Sequence, residues 1–313
     1  MTEKRKIVFF GTPEIAADLL TELAKQNYPI DLVVTQPDRP AGRGQKLRPS
    51  PVKTRAQELD LSCIDPEKLS KTSIRERLVS MKDAIFVVVA YGKILKPWLI
   101  SAPHRILNLH ASLLPRWRGA APVHRSIMAG DTQSGVSIMK IVPELDAGDV
   151  LLQKTIPIDH EMSTGDLFHK MTSVGAQALI EALDLVNEGK DQYQKQDPTQ
   201  VCYAHKISVA EAQIDWSRSA WEVHNHIRGL NPFPGAYTFA QNQRIKIFKS
   251  TLSEKKTSKP MGSLFIEDQK VWIQCQDQCV EITQMQREGK SRQSSSQFIT
   301  YLQSKHIESW NLK

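Results

Sequence analysis

The fold is decided by the stretch that opens with Ile7-Val8-Phe9-Phe10-Gly11-Thr12-Pro13 and closes with Ile30-Asp31-Leu32-Val33-Val34-Thr35. Ile7–Phe10 reads as a short apolar strand. Pro13 to about Lys25 has the periodicity of a helix. Ile30–Thr35 is a second apolar strand. The same alternation recurs downstream. Strands are expected at Cys63-Ile64, Ala84–Ala90, Ile106–His110, Val136–Ile141 and Val150–Ile156. Helices are expected at Val52–Leu59, Glu67–Leu78, Pro122–Met128 and Thr164–Val186. Such alternation predicts an α/β domain with a Rossmann-like, doubly wound and mostly parallel sheet.

The pattern changes after a polar stretch from Asn187 to Gln200. A short helix near Ala220–Arg228 leads into Asn231-Pro232-Phe233-Pro234-Gly235, a stiff turn. Five short β-like runs follow: Ala236–Ala240, Arg244–Lys249, Ser263–Glu267, Val271–Cys275 and Val280–Met285. Turn-forming pairs, Gln241-Asn242 and Asp268-Gln269, separate two of the junctions. This spacing predicts a smaller, OB-like β-barrel. The expected domains are residues 1–188 and 208–313, joined by a linker over 189–207.

No apolar run approaches the ~20 residues that span a bilayer. The apolar stretch after Lys6 is four residues long, too short for a secretory signal core. A cytoplasmic protein without membrane partners is expected, and a monomer. Cys63, Cys202, Cys275 and Cys279 lack the spacing of a zinc site, and no metal is expected.

The net charge of +7 is unevenly placed. Residues 1–188 carry +2 and residues 208–313 carry +4. Gln36–Arg55 alone carries +5, with six basic residues against Asp38. A basic loop and a basic second domain point to a polyanionic partner, nucleic acid first. Gly42 and Gly44 flank Arg43, which can therefore enter a groove or meet phosphates.

Three groups of residues can carry chemistry. Asn108 and His110 point to the same face of their strand, at the carboxyl edge where α/β sheets bind ligands. One can hold a developing oxyanion and the other can move a proton. Asp146, in Leu145-Asp146-Ala147-Gly148-Asp149, can reach and orient the imidazole. Ala90-Tyr91-Gly92 ends another strand, where Gly92 permits close approach of a flat ligand. Gly11 has no G-x-G-x-x-G around it, which counts against a dinucleotide.

Asn108-Leu-His110-Ala-Ser112-Leu-Leu-Pro115-Arg-Trp-Arg-Gly-Ala-Ala-Pro122 closely resembles the signature of folate-dependent formyltransferases, and Leu145–Asp149 is similar to their Asp loop. The resemblance runs from Lys6 to the final strands. Gln36–Gly44 and Arg48–Lys53 resemble the insertion loop of the branch that acts on initiator methionyl-tRNA. Val88–Gly92 and Ile214-Asp-Trp-Ser217 fit the same branch. The resemblance implies formyl transfer from 10-formyltetrahydrofolate to the methionyl amine, with Asn108, His110 and Asp146 as the catalytic set. It implies a folate site at Ser112, Leu113, Leu114 and Pro115 with Ala90, Tyr91 and Gly92 nearby. Arg39, Arg43, Lys46 and Arg48 would contact tRNA, and the C-terminal barrel would hold it. Ala111 stands where glycine is usual, which raises the question of whether the loop needs a positive φ there. The catalytic residues alone would equally serve a small-molecule amine. Only the basic loop and second domain select tRNA.

Overall fold

In the computed structural model the first segment forms the expected unit: β1 (Ile7–Gly11), α1 (Glu14–Lys25) and β2 (Ile30–Val34). The structure describes residues 4–41, 46–102, 105–307 and 309–312. A small hairpin follows, β3 (Arg39–Ala41) and β4 (Lys46–Arg48). Then come α2 (Pro51–Glu58), β5 (Cys63–Ile64), α3 (Thr72–Ser80), β6 (Ile85–Val89), α4 (Pro97–Ile100), β7 (Arg105–His110) and β8 (Arg118–Gly119). The chain continues through α5 (Pro122–Met128), β9 (Gln133–Lys140), β10 (Val150–Pro157), α6 (Thr164–Asn187) and β11 (Tyr203–Ala204). Last are α7 (Ala220–Gly229), β12 (Ala236–Ala240), β13 (Gln243–Leu252), β14 (Ser263–Glu267), β15 (Lys270–Gln274), β16 (Cys279–Arg287), β17 (Gln293–Ser294), α8 (Ser295–Ser304) and β18 (Ser309–Asn311).

Two compact units result. One comprises residues 1–119, 135–156 and 169–203; the other comprises 120–134, 157–168 and 204–313. No helix among the described residues is long and apolar enough to cross a membrane.

The first unit is built on a seven-stranded sheet in the order β10-β9-β7-β6-β1-β2-β5. The strands from β5 to β7 run parallel, and β9 is antiparallel to β7. Every residue of β1 and β6 is buried, which explains their unbroken apolar sequence: parallel strands covered on both faces have no polar side. Sequence order reverses between β1 and β6. Their carboxyl ends therefore open the crevice where α/β sheets bind ligands. Helix α3 starts at Thr72, later than the expected Glu67, and Leu69 reaches the core from a loop.

In the second unit β12-β13-β16-β15-β14-β18 form an antiparallel sheet. A bridge between Ala240 and Leu312 brings the first strand to the last and nearly closes a barrel. Gln241-Asn242 and Asp268-Gln269 are the two-residue loops of its hairpins, and all four residues have positive φ. Such loops match the right-handed twist of the flanking strands. Strand β18 was not expected; Ser309–Asn311 is too short and polar to show period-two alternation. Helix α8 covers the sheet with Phe298, Ile299 and Leu302.

Candidate active site

Strand β7 positions the first two residues. Asn108 lies between Val88 of β6 and Met139 of β9, with His110 two residues on and thus on the same face. The opposite face holds Leu107 and Leu109, and Leu109 packs where α6 offers Gly175: a Cβ there would sit 3.2 Å from the leucine methyl. The apolar side of β7 is thus committed to the core. His110 is buried and Asn108 is half-buried.

Asp146 arrives by a less direct route. Because β9 runs antiparallel to β7, the loop after Lys140 leaves the sheet beside Leu107 and folds back to reach His110. Gly148 makes the fold possible, since a Cβ there would lie 1.9 Å from the Lys140 carbonyl oxygen. Asp146 Oδ2 lies 3.6 Å from His110 Nδ1 and accepts the Gly119 N–H at 2.7 Å. Gln196 donates to the carbonyls of both Asp146 and Gly148 at 2.8 Å. Arg118 Nε in turn holds the Gln196 side-chain oxygen at 3.0 Å.

The other ring nitrogen, His110 Nε2, lies 2.8 Å from the Trp117 carbonyl oxygen. A carbonyl only accepts, so Nε2 carries a hydrogen. Nδ1 is then the nitrogen not committed to a hydrogen bond. Trp117 and Asp146 both sit in the left-handed region, with φ of 64° and 48°. This conformation costs a non-glycine residue about 1–2 kcal/mol. Strain of this kind persists only where the surroundings over-determine it. Here the surroundings are the carboxylate bond to Gly119, the Gln196 amide, and a hydrogen bond from Trp117 N to Cys202 Sγ at 3.2 Å.

The Ser112–Pro115 segment is fastened from beneath. Ser112 donates to the Arg116 carbonyl at 2.6 Å, and Ser137 donates to the Ser112 carbonyl at 2.6 Å. Ser137 Oγ also accepts the Leu114 N–H, while Gln153 bridges Leu114 O and Ser137 Oγ. Ser112 and Leu114 are buried; Leu113 and Pro115 are half-buried. The left-handed positions near this loop are Trp117 and Gly119, and Ala111 is not one of them. Alanine at 111 therefore brings no strain.

At the end of β6, Ala90 and Gly92 are exposed and left-handed, with φ of 46° and 77°. The Tyr91 ring turns into the core, edge-on to Phe10, and burial pushes its hydroxyl up to about 12. Its carbonyl accepts from Thr12 Oγ1 at 2.8 Å and Gln36 Nε2 at 2.9 Å, stitching β1 to β6 across the crevice.

The basic segment is a hairpin among the described residues. Arg39 stands opposite Arg48, and Ala41 opposite Lys46. Arg43 lies outside the described residues. Much of the local charge is neutralised. Lys53 binds Asp38 and Asp65 at 2.8 Å, which holds its ammonium above the ordinary lysine value. Arg55 meets Glu14, Asp18 and Glu58. Lys46 and Arg48 remain exposed, with no carboxylate partner among the described residues, and Arg39 has a loose contact to Glu67 at 3.6 Å.

Asn108, His110 and Asp146 are thus brought together, and Ser112–Pro115 continues from the same strand end. Gln196, Trp117, Ser137 and Gln153 carry the support and were not singled out in the sequence. Gln196, Ser137 and Gln153 reach Asp146 and Leu114 from distant chain segments, so no local motif marks them. Trp117 lies within the Asn108–Pro122 stretch, but it acts on His110 through its backbone carbonyl, which side-chain identity does not reveal.

The formyl transferase family matches residues 5–183, and the formyl transferase C-terminal domain matches residues 206–303. The methionyl-tRNA formyltransferase of Jannaschia sp. is 41% identical over 295 residues, covering 94% of this chain and 96% of that protein. That of Nitrosomonas eutropha is 38% identical over 296 residues, covering 94% of each. Among solved structures, the sugar 3N-formyl transferase WlaRD shares the fold, with a TM-score of 0.68 at 20% identity, over 92% of this chain and all of that one.

Proposed function

Because the chain belongs to the formyl transferase family, we propose that it moves the formyl group of 10-formyltetrahydrofolate to the α-amino group of methionine on initiator methionyl-tRNA, giving N-formylmethionyl-tRNA for translation initiation. It acts in the cytoplasm, as a monomer. The observation that carries formyl transfer is the convergence of Asn108 and His110 on one face of β7 with the Asp146 carboxylate 3.6 Å from His110 Nδ1, while the choice of tRNA as acceptor rests on the basic hairpin and the second unit. A hydrogen-bond donor, an orientable base and a carboxylate are what acyl transfer between two nitrogens needs.

In the transfer, the amine nitrogen bonds to the formyl carbon and the carbonyl electrons move onto oxygen. The carbon–N10 bond then breaks, N10 takes a proton, and the attacking amine loses one. Asn108 donates to the oxyanion. His110 Nδ1 exchanges the proton, since Nε2 is held by Trp117. Asp146 supports the positive charge on the ring and keeps it aimed. Ser112, Leu113, Leu114 and Pro115 form the wall of the folate site. Ala90 and Gly92 offer exposed backbone beside it, and Tyr91 holds that strand end in place through its carbonyl, which Thr12 and Gln36 occupy, rather than through its ring. No step calls for a metal.

Arg39, Arg43, Lys46 and Arg48 contact the acceptor end of the tRNA, and residues 208–313 supply the tRNA-binding barrel of the second unit. The facing arginines at 39 and 48 support this, because like charges opposed across a ladder destabilise a hairpin until an anion screens them. The test offers purified protein and 10-formyltetrahydrofolate three acceptors in parallel: charged initiator tRNA, charged elongator tRNA and amino sugars. Initiator tRNA is expected to be formylated fastest. Formylation of the sugars alone would overturn the proposal.

A further inference from the structure

The turn Asn231-Pro232-Phe233-Pro234-Gly235 has no part in the chemistry above, yet it is among the most firmly held segments of the second unit. All four carbonyls from 231 to 234 are occupied. Gly165 N donates to Asn231 O, Arg292 to Pro232 O, His124 Nε2 to Phe233 O, and Lys246 Nζ to Pro234 O at 2.7 Å. Gly235 N returns to Leu230 O at 2.8 Å, and its φ of 83° favours glycine, since a side chain there would be strained. Both prolines lock their own φ. On this pedestal the Phe233 ring stands 75% exposed.

One exposed apolar side chain means little by itself. The surroundings give it meaning. Lys246 and Arg292 grip the carbonyls on either side of Phe233, and Arg292 also lies 3.6 Å over the Phe248 ring. Burial, and after it the charges of Arg244 and Arg292, push the Lys246 ammonium below its ordinary value. None of the three pairs with a carboxylate among the described residues. The turn thus presents a rigid aromatic face flanked by Lys246 and Arg292, neither paired with a carboxylate among the described residues. That combination fits a ligand with a flat apolar face and an attached anion, which describes a nucleotide whose base is unpaired. A rigid aromatic also loses little conformational entropy on binding.

Resting on the tRNA reading above, we propose that the Phe233 turn is a stacking platform for an unpaired nucleotide of the tRNA, with the base on the Phe233 ring and the neighbouring phosphate on Lys246 and Arg292. The experiment compares wild type, Phe233→Ala and Phe233→Trp. Three quantities are read: kcat and KM for initiator methionyl-tRNA, the Kd for the folate, and quenching of a single-stranded RNA pentamer carrying 2-aminopurine. Loss of one stacked base is expected to raise KM about tenfold in Phe233→Ala. The folate Kd and Tm should stay unchanged, and Phe233→Trp should restore KM. Wild type should quench the pentamer and Phe233→Ala should not. Unchanged KM in Phe233→Ala overturns the platform while leaving the formyl-transfer reading intact. If wild type formylates no tRNA, the earlier reading fails, and the pentamer alone decides the platform. Phe233-dependent binding to anionic vesicles with no quenching of the pentamer would assign the turn to a membrane surface and overturn the inference.

Discussion

Two loops of the first unit are both rich in signal at the sequence level, and they are built in opposite ways. The loop from His110 to Gly119 is held at nearly every turn: Ser112, Ser137, Gln153, Cys202 and Asp146 each take up one of its polar groups. Among the described residues the strands Arg39–Ala41 and Lys46–Arg48 pair only with each other, Arg39 keeps one loose contact to Glu67, and the side chains of Lys46 and Arg48 reach into solvent. The difference separates two demands on one enzyme. Moving a proton and a formyl group needs atoms fixed to within a fraction of an ångström. Attracting a polyanion needs charge, and charge acts over a Debye length of about 8–10 Å without fixed geometry.

If that contrast is right, damage to the held loop should fall on kcat and damage to the hairpin on KM. The strongest effect should come from His110→Ala or Asp146→Asn. Each should lower kcat by roughly 10²–10⁴ with the fold retained, the range for loss of a positioned acid–base group. Turnover within tenfold of wild type in steady-state assays would erase the contrast. Gln196→Ala tests the support separately. It frees the carbonyls of Asp146 and Gly148 without touching a reacting atom, and should cost kcat about tenfold to a hundredfold through misplacement. Folate Kd, read by equilibrium dialysis, should barely move; an equal loss in both would make Gln196 a general structural residue.

On the hairpin side, Lys46→Ala and Arg48→Ala should each raise KM for tRNA several-fold at moderate salt. Each should also reduce the slope of log KM against log salt by about one. A kcat effect with no change in salt slope would show the hairpin to be geometric after all.

The smallest effect concerns the buried imidazoles of the second unit. Burial pushes His124, His224 and His226 below the ordinary histidine value of 6.5. His224 sits among Ser250, the His160 carbonyl, Glu161 and Arg228. The folded state thus favours the neutral ring. Stability is full above pH 6.5, and falls as acid protonates the unfolded chain first. Each group contributes at most about 1.4 kcal/mol per pH unit below that point. Tm should drop a few degrees between pH 7.5 and 5.5, and His224→Gln should flatten the fall. A pH-independent Tm would show that these rings titrate normally.

The parallel sheet could be read from the unbroken apolar runs at Ile7–Phe10 and Ala84–Ala90 because burial on both faces erases polar alternation. Asn108 and His110 could be paired because a strand alternates its faces. Gln241-Asn242 and Asp268-Gln269 declared their turns through residue chemistry. What could not be read was anything set by closure of distant segments. Gln196 lies 50 residues from Asp146 in a stretch without periodicity. Local charge misled as well. The +5 of Gln36–Arg55 includes Lys53 and Arg55, whose neutralising acids Asp65, Glu14, Asp18 and Glu58 fall outside that window. The Tyr91 ring could not be placed from Tyr-Gly alone, since its facing depends on Phe10.

The second unit borrows from the middle of the chain. Residues 120–134 and 157–168 belong to it, with Met128 against its core, Thr164 Oγ1 bonded to Gly229 O, and Arg228 reaching the carbonyls of Asp159 and Met162. Helix α6 starts in one unit and ends in the other. A cut between Tyr203 and Ala204 would strip both inserted pieces of their packing while leaving them attached to the sheet. Exchange of acceptor-binding modules between relatives therefore cannot proceed by joining halves at a single point. A working chimera has to inherit α5 and the turn before α6 along with the barrel, so that natural recombination and laboratory grafting face the same three-part splice.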